Sequence, residues 1–121
     1  MAWRLLIVDD DPRFRELFRQ LVEDRAEFEV VGEAADGNAA TAAARELEPD
    51  VILLDVNLPD AFGFDLVPEL SGDGSGPAVV MTSSRDDDAY EGLAREAGAA
   101  GFVSKHDLSA AAIQRLLGDQ H

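Results

Sequence analysis

Short apolar runs that stop abruptly at a carboxylate set the tightest limit on how this chain can fold. Leu5-Leu6-Ile7-Val8 closes on Asp9-Asp10-Asp11-Pro12, and Val51-Ile52-Leu53-Leu54 closes on Asp55. A half-buried strand would alternate apolar and polar residues, so an unbroken run of this length reads as a strand buried on both faces. Further strands are read over residues 28–31, ending at Gly32, over 78–81, ending at Thr82-Ser83-Ser84, and over 101–104, ending at Lys105. Helical segments lie between them. After Pro12, which suits a first helical turn, Phe14, Leu17, Phe18, Leu21 and Val22 recur at helical spacing. An alanine-rich helix over 39–47 stops before Pro49, and others span 64–70, 88–97 (closed by Gly98) and 108–117. Residues 57–63 form a loop and 71–77 a glycine-rich turn.

Strand and helix therefore alternate five times. Doubly buried strands need helices on either side, and right-handed crossovers then give a doubly wound α/β layout with a parallel sheet. Ligands in such folds sit at the carboxyl ends of the strands, near the point where strand order reverses. The residues to weigh for chemistry are those that follow strands: Asp9, Asp10, Asp55, Thr82, Ser83 and Lys105.

Composition narrows the classes. Lys and Arg number 10 against 25 Asp and Glu, a net charge of −15. Such a chain has no basic stripe for nucleic acid or anionic membrane. It has no cysteine, which excludes a disulfide scaffold, a thiol nucleophile and a Cys-type zinc site. Its apolar runs are strand-sized, far short of the roughly 20 residues of a membrane helix, and Met1-Ala2-Trp3-Arg4 has no signal-peptide layout. A cytoplasmic location is the expectation.

Three carboxylates at one sheet edge repel each other unless a cation joins them. Mg2+, which takes hard oxygen ligands from a few carboxylates, water and phosphate oxygens, suits that place. Lys105 adds a positive charge and Thr82 or Ser83 a hydroxyl, the set that phosphoryl transfer to an Asp nucleophile needs. Taken singly these residues have plainer uses. Asp11 reads as a helix cap, Asp36 and Asp60 as turn formers, and Phe102 as core. Acids, hydroxyl and lysine after four different strands are harder to explain as caps.

At this point the chain resembles the receiver domains of response regulators in two-component signalling. Three segments carry the resemblance: Leu5-Leu6-Ile7-Val8-Asp9-Asp10-Asp11-Pro12, then Pro49-Asp50-Val51-Ile52-Leu53-Leu54-Asp55-Val56-Asn57-Leu58-Pro59-Asp60, then Gly98-Ala99-Ala100-Gly101-Phe102-Val103-Ser104-Lys105. The resemblance implies one receiver domain over 1–121, flavodoxin-like, with strand order 2-1-3-4-5 and five helices. It implies Asp55 as phosphoacceptor, Asp10 as direct Mg2+ ligand, Asp9 acting largely through water, and the Asn57 backbone carbonyl completing the metal shell. Lys105 then pairs with the phosphoryl group, and Phe102 swings inward as the hydroxyl residue moves. The implied partners are a histidine kinase or phosphotransfer protein, and an effector domain or partner protein, or a second copy, on the face of helix 4, strand 5 and helix 5. The domain would be a switch rather than a turnover enzyme, with no direct nucleic acid binding of its own.

Two departures stand out. Phe62 occupies the loop position before Gly63 where an acid is commoner in that family, and the hydroxyl is ambiguous: counting from Pro77 favours Thr82, while counting back from Lys105 favours Ser83. Thr82 is preferred. The rivals are a receiver-like module that works without phosphate, a Mg2+-dependent phosphohydrolase, and a flavodoxin-like cofactor binder. The first would lack the acids or Lys105; the second would want an acid/base residue near Asp55 and a cap domain, yet position 57 is Asn; the third would want a phosphate-cradling loop where Asp9-Asp10-Asp11 stands.

Overall fold

The computed structural model describes residues 2–72 and 75–118, in which a five-stranded sheet runs in the order β2-β1-β3-β4-β5 with every pairing parallel. In chain order the elements are β1 (Trp3–Val8), α1 (Pro12–Glu23), β2 (Phe28–Ala34), α2 (Gly37–Leu47), β3 (Val51–Asp55), α3 (Gly63–Ser71), β4 (Ala78–Ser83), α4 (Ala89–Ala97), β5 (Gly101–Ser104) and α5 (Ala110–Leu117). Met1, the middle of the glycine-rich turn at 73–74 and the closing residues 119–121 lie outside the described part.

The unbroken runs are buried on both faces because each parity of residue meets its own helical layer. Leu6, Val8, Ile52, Leu54, Val79 and Met81 pack with residues of α2, α3 and α4. Leu5, Ile7, Val51, Leu53 and Val80 pack with Phe18, Val22, Ile113 and Leu117 of α1 and α5. Each such side chain, removed wholly from water, contributes about 1.5–3 kcal/mol. This is why the runs Leu5–Val8 and Val51–Leu54 carry no polar residue.

Helix starts follow local chemistry. Asp11 caps α1 through Arg13 N at 2.9 Å with Pro12 next, Asp36 caps α2 through Ala39 N at 2.7 Å, and Ser109 caps α5 through Ala112 N at 3.0 Å. Each cap satisfies an otherwise orphaned N–H and stabilises by about 1 kcal/mol. Asp36 is thus a cap rather than only a turn former.

The largest departure from the sequence reading is β2, which does not stop at Gly32 but continues to Ala34. Register against β1 passes from Leu5–Val30 to Leu6–Gly32, so Val31 is an extra residue in a bulge. Gly32 is there because Leu47 of α2 closes over it: a Cβ would come 2.5 Å from Leu47 Cδ1. β1 also starts earlier, at Trp3, and β4 runs on through Ser83. Among the described residues, no helix is long and apolar enough to cross a membrane.

Candidate functional site

Asp9 follows the last residue of β1 and Asp55 is the last residue of β3, so both project at the carboxyl edge of the two central strands. Their parity is that of Ile7 and Leu53, on the α1–α5 side of the sheet. Asp9 is fully buried and Asp55 is 7% exposed, while Asp10 lies open to solvent. One oxygen from each of these carboxylates lies within 4.8 Å of the others. At that spacing and an effective dielectric of about 20, the buried Asp9–Asp55 pair costs on the order of 3 kcal/mol, and the pairs with exposed Asp10 cost less because water screens them.

Lys105, just past β5, is the cation placed among them. Its Nζ lies 2.6 Å from Asp9 Oδ2 and 3.8 Å from Asp55 Oδ2. The closer contact is an ion pair, since Asp9 Oδ2 receives no well-directed hydrogen bond. The other Asp9 oxygen accepts from Asp11 N at 2.9 Å, which leaves Asp9 committed to its own turn and to the lysine. Asp55 is less well served. Burial, then the charge of Asp9, push its carboxyl up to about 6, and Lys105 offsets this only in part. A single lysine against three acids leaves the cluster two negative charges in excess, a donor set of hard oxygens that fits a small divalent cation.

Register separates the two candidate hydroxyls. Thr82 pairs with Asp55 across β3 and β4, and its parity is that of Val80, on the acids' side of the sheet. Its Oγ1 is buried without a hydrogen-bond partner. Ser83 has the parity of Met81 and so belongs to the other face, where its Oγ accepts from Arg85 N at 3.1 Å. An unpaired buried hydroxyl costs about 1–3 kcal/mol, so the Thr82 arrangement is one that stability alone would not favour. Phe102, in register with Met81, is half-buried on the α4 side, its ring edge-on to Tyr90 with centroids 5.4 Å apart.

The loop over 57–62 is built to stay close to Asp55. Asn57 N donates weakly to Asp55 Oδ1 at 3.4 Å, and Asn57 pairs across the loop with Phe62. Gly63 N donates to Val56 O at 2.5 Å, and a Cβ on Gly63 would come 2.3 Å from Asp55 O, so only glycine fits there. Phe62 is 41% exposed and meets Phe64 edge-on at 5.2 Å.

Sequence reading missed two supports. Asp60, read as a turn former, accepts from Gly37 N at 2.7 Å and Asn38 N at 3.1 Å, tying the loop to the start of α2. The Gly37 N–H holds its carboxyl below the usual carboxylate range. Arg15 donates through Nη1 to Asp9 O at 2.6 Å while its Nε pairs with Glu33 at 2.9 Å. Neither arrangement has a local sequence signal, because the α2 amides and Glu33 come from distant segments and the Asp9 contact is to backbone.

Comparison with known proteins agrees with this geometry. The sequence matches the family described as response regulator receiver domain over residues 5–116. A protein-glutamate methylesterase/protein-glutamine glutaminase of Alkalilimnicola ehrlichii is 39% identical over 106 residues, covering 87% of this chain and 27% of that one. The transcriptional regulatory protein YdfI of Bacillus subtilis is 34% identical over 103 residues, covering 84% of this chain and 47% of its own length. This chain thus spans less than half the length of either relative. Among solved structures, the signal receiver domain of the response regulator NarL from Mycobacterium tuberculosis superposes with a TM-score of 0.83 at 31% identity, covering 97% of this chain and 98% of that one.

Proposed function

The chain belongs to the response regulator receiver domain family, and on that premise we propose that Asp55 accepts a phosphoryl group from a histidine kinase or phosphotransfer protein in a Mg2+-dependent reaction. The reading is supported above all by one observation: the buried, partnerless Thr82 hydroxyl lies in register with a buried carboxylate that Lys105 compensates only in part.

Receiver domains bind Mg2+ at an acidic site, and here Asp10 and Asp55 have oxygens to give while Asp9 is held by Lys105 and Asp11 N. Asp10 and Asp55 would hold the ion directly, with Asp9 through water and Asn57 through its backbone carbonyl. Bound there, the ion supplies positive charge for the phosphoryl oxygens. The chain's own groups do the rest. An Asp55 oxygen attacks phosphorus in line, an O–P bond forms, and the P–N bond to the donor histidine breaks with its electron pair staying on nitrogen. Lys105, 3.8 Å from Asp55 at rest, exchanges part of its contact with Asp9 for the new phosphoryl oxygens. Thr82 Oγ1 donates to one of them and so gains the partner it lacks.

As the family resemblance implies, the Phe102 ring turns inward when Thr82 moves. The two side chains lie on opposite faces of the sheet, so the coupling passes through the end of β4, and it biases a two-state equilibrium at the face of α4, β5 and α5. That face would meet an effector domain, a partner protein or a second copy. The relatives include a methylesterase and a transcriptional regulator, so the receiver is the shared part and the output differs. The domain acts as a switch in the cytoplasm, reset by slow hydrolysis.

Incubation with acetyl phosphate or fluoroberyllate, with and without Mg2+, tests the assignment on wild type and Asp55→Ala. A Mg2+-dependent mass gain or spectral shift is expected in wild type alone. An equal response in both proteins would remove Asp55 from its role.

A further inference from the structure

Lys105 has a neighbour besides the carboxylates. Its Nζ lies 4.1 Å from the centroid of the Phe14 ring. An ammonium within about 6 Å of a ring centroid is attracted to the negative face of the π system, more so where water is partly excluded. Water is partly excluded here, for the lysine side chain is 17% exposed. The ring is itself held in place. Phe14 lies in the first turn of α1, whose start is fixed by the Asp11 cap and Pro12, and it stacks on the fully buried Phe18 with centroids 6.1 Å apart and planes 18° from parallel.

A lysine stem is long and flexible, and its ammonium follows the nearest charge. Asp9 Oδ2 at 2.6 Å would draw it away from Asp55 at 3.8 Å. We infer that Phe14 is a positioning residue: its ring gives the Lys105 ammonium a third, uncharged contact that keeps it between Asp9 and Asp55, ready for an arriving phosphoryl group. Phe14 does not touch that group and acts through the lysine. The inference rests on the phosphoacceptor reading above, since that reading is what gives the position of Lys105 a purpose.

Wild type, Phe14→Leu and Phe14→Tyr separate this role from plain packing. In the metal-free proteins, the NMR signals of the Lys105 ε-methylene protons are expected to be shifted upfield by the ring in wild type and Phe14→Tyr, and to return to their ordinary position in Phe14→Leu. At saturating Mg2+, fluoroberyllate affinity is expected to fall about three- to tenfold in Phe14→Leu and to stay within about twofold of wild type in Phe14→Tyr. Mg2+ affinity without fluoroberyllate stays the same in all three, because no metal ligand is altered. An unshifted lysine signal in wild type overturns the inference, as does unchanged fluoroberyllate affinity in Phe14→Leu. An equal loss in Phe14→Tyr also overturns it, by making Phe14 ordinary core. If wild type takes up no fluoroberyllate at all, the phosphoacceptor reading is what fails, and the lysine shift alone then judges the contact.

Discussion

The two ends of one sheet treat their carboxylates in opposite ways. At the amino end of β3, Asp50 is tied down by three hydrogen bonds: Oδ2 accepts from Arg4 N at 2.8 Å, its N–H donates to Arg4 O at 2.8 Å, and its carbonyl accepts from Ala78 N at 3.0 Å. The side chain of Arg4 adds a bond from Nη1 to Glu48 O at 2.9 Å. At the carboxyl end, Asp9 and Asp55 share one lysine with Asp10 beside them, burial and a like charge push Asp55 up to about 6, and the Thr82 hydroxyl has no partner. Residue type and sheet are the same; what differs is whether the polar groups are satisfied. One end contributes stability, and the other holds the unsatisfied groups to which the proposed function assigns a ligand.

The sharpest way to break this comparison is to remove the charge at the unsatisfied end. Asp55→Asn is expected to lose all Mg2+-dependent phosphorylation by acetyl phosphate while becoming more stable without metal, by about 1–2 kcal/mol in urea unfolding at neutral pH. The sign follows from the raised carboxyl. In the unfolded chain Asp55 ionises near 4, in the fold only near 6. The fold therefore carries no penalty below pH ~4, an increasing one as pH rises toward 6, and a constant one above, and Asn removes it. A variant no more stable than wild type would mean that Asp55 is as well accommodated as Asp50.

The same carboxyl sets a pH dependence on metal binding. Protons compete with Mg2+ for Asp55, so apparent Mg2+ affinity is expected to be level above pH ~7 and to fall by up to about tenfold per unit below pH ~6. Calorimetric titration between these limits checks it, and a level profile down to pH 5 would contradict the raised Asp55. At the other end the expected sign reverses. Asp50→Ala removes the acceptor of the Arg4 N–H, which costs about 1–2 kcal/mol of unfolding free energy and leaves Mg2+ affinity unchanged. Loss of Mg2+ binding in Asp50→Ala would show that the two ends are coupled rather than merely different.

The sheet was legible because its evidence is local. Unbroken runs such as Leu5–Val8 and Val51–Leu54 can be buried only between two layers of helices, and the acids that stop them fall at the ligand edge by construction. What was not legible depends on pairing between distant segments. Thr82 and Ser83 are equivalent in composition and adjacent in sequence, and only register with Asp55 puts them on opposite faces. Gly32 reads as a strand breaker until Leu47 is seen lying over it and the Val31 bulge absorbs the extra residue. Asp60 reads as a turn until the α2 amides arrive from the other side. Phe14 falls in a core stripe by spacing, and its contact with Lys105 joins the two ends of the chain.

The smallest expected effect is also the one that best isolates what the comparison claims. Glu48, the C-cap of α2, sits beside Asp50 with φ 48 and ψ 59, a left-handed conformation that crowds its Cβ. Left-handed geometry costs a non-glycine residue roughly 1–2 kcal/mol, and glycine returns part of that gain through its extra freedom in the unfolded chain. Glu48→Gly is therefore expected to stabilise by about 0.5–1 kcal/mol in thermal or urea unfolding. The Arg4 Nη1 bond survives, because its acceptor is the backbone carbonyl. Mg2+ affinity, fluoroberyllate uptake and phosphorylation rate should all match wild type. Relief at this end and relief at Asp55 would then have the same sign for stability and opposite consequences for function. Local strain near Asp50 is incidental and can be removed freely. On the proposed function the electrostatic strain at Asp55 cannot, because the group that is poorly accommodated is the group assigned to react. A Glu48→Gly protein that gained stability but lost phosphorylation would refute that distinction directly.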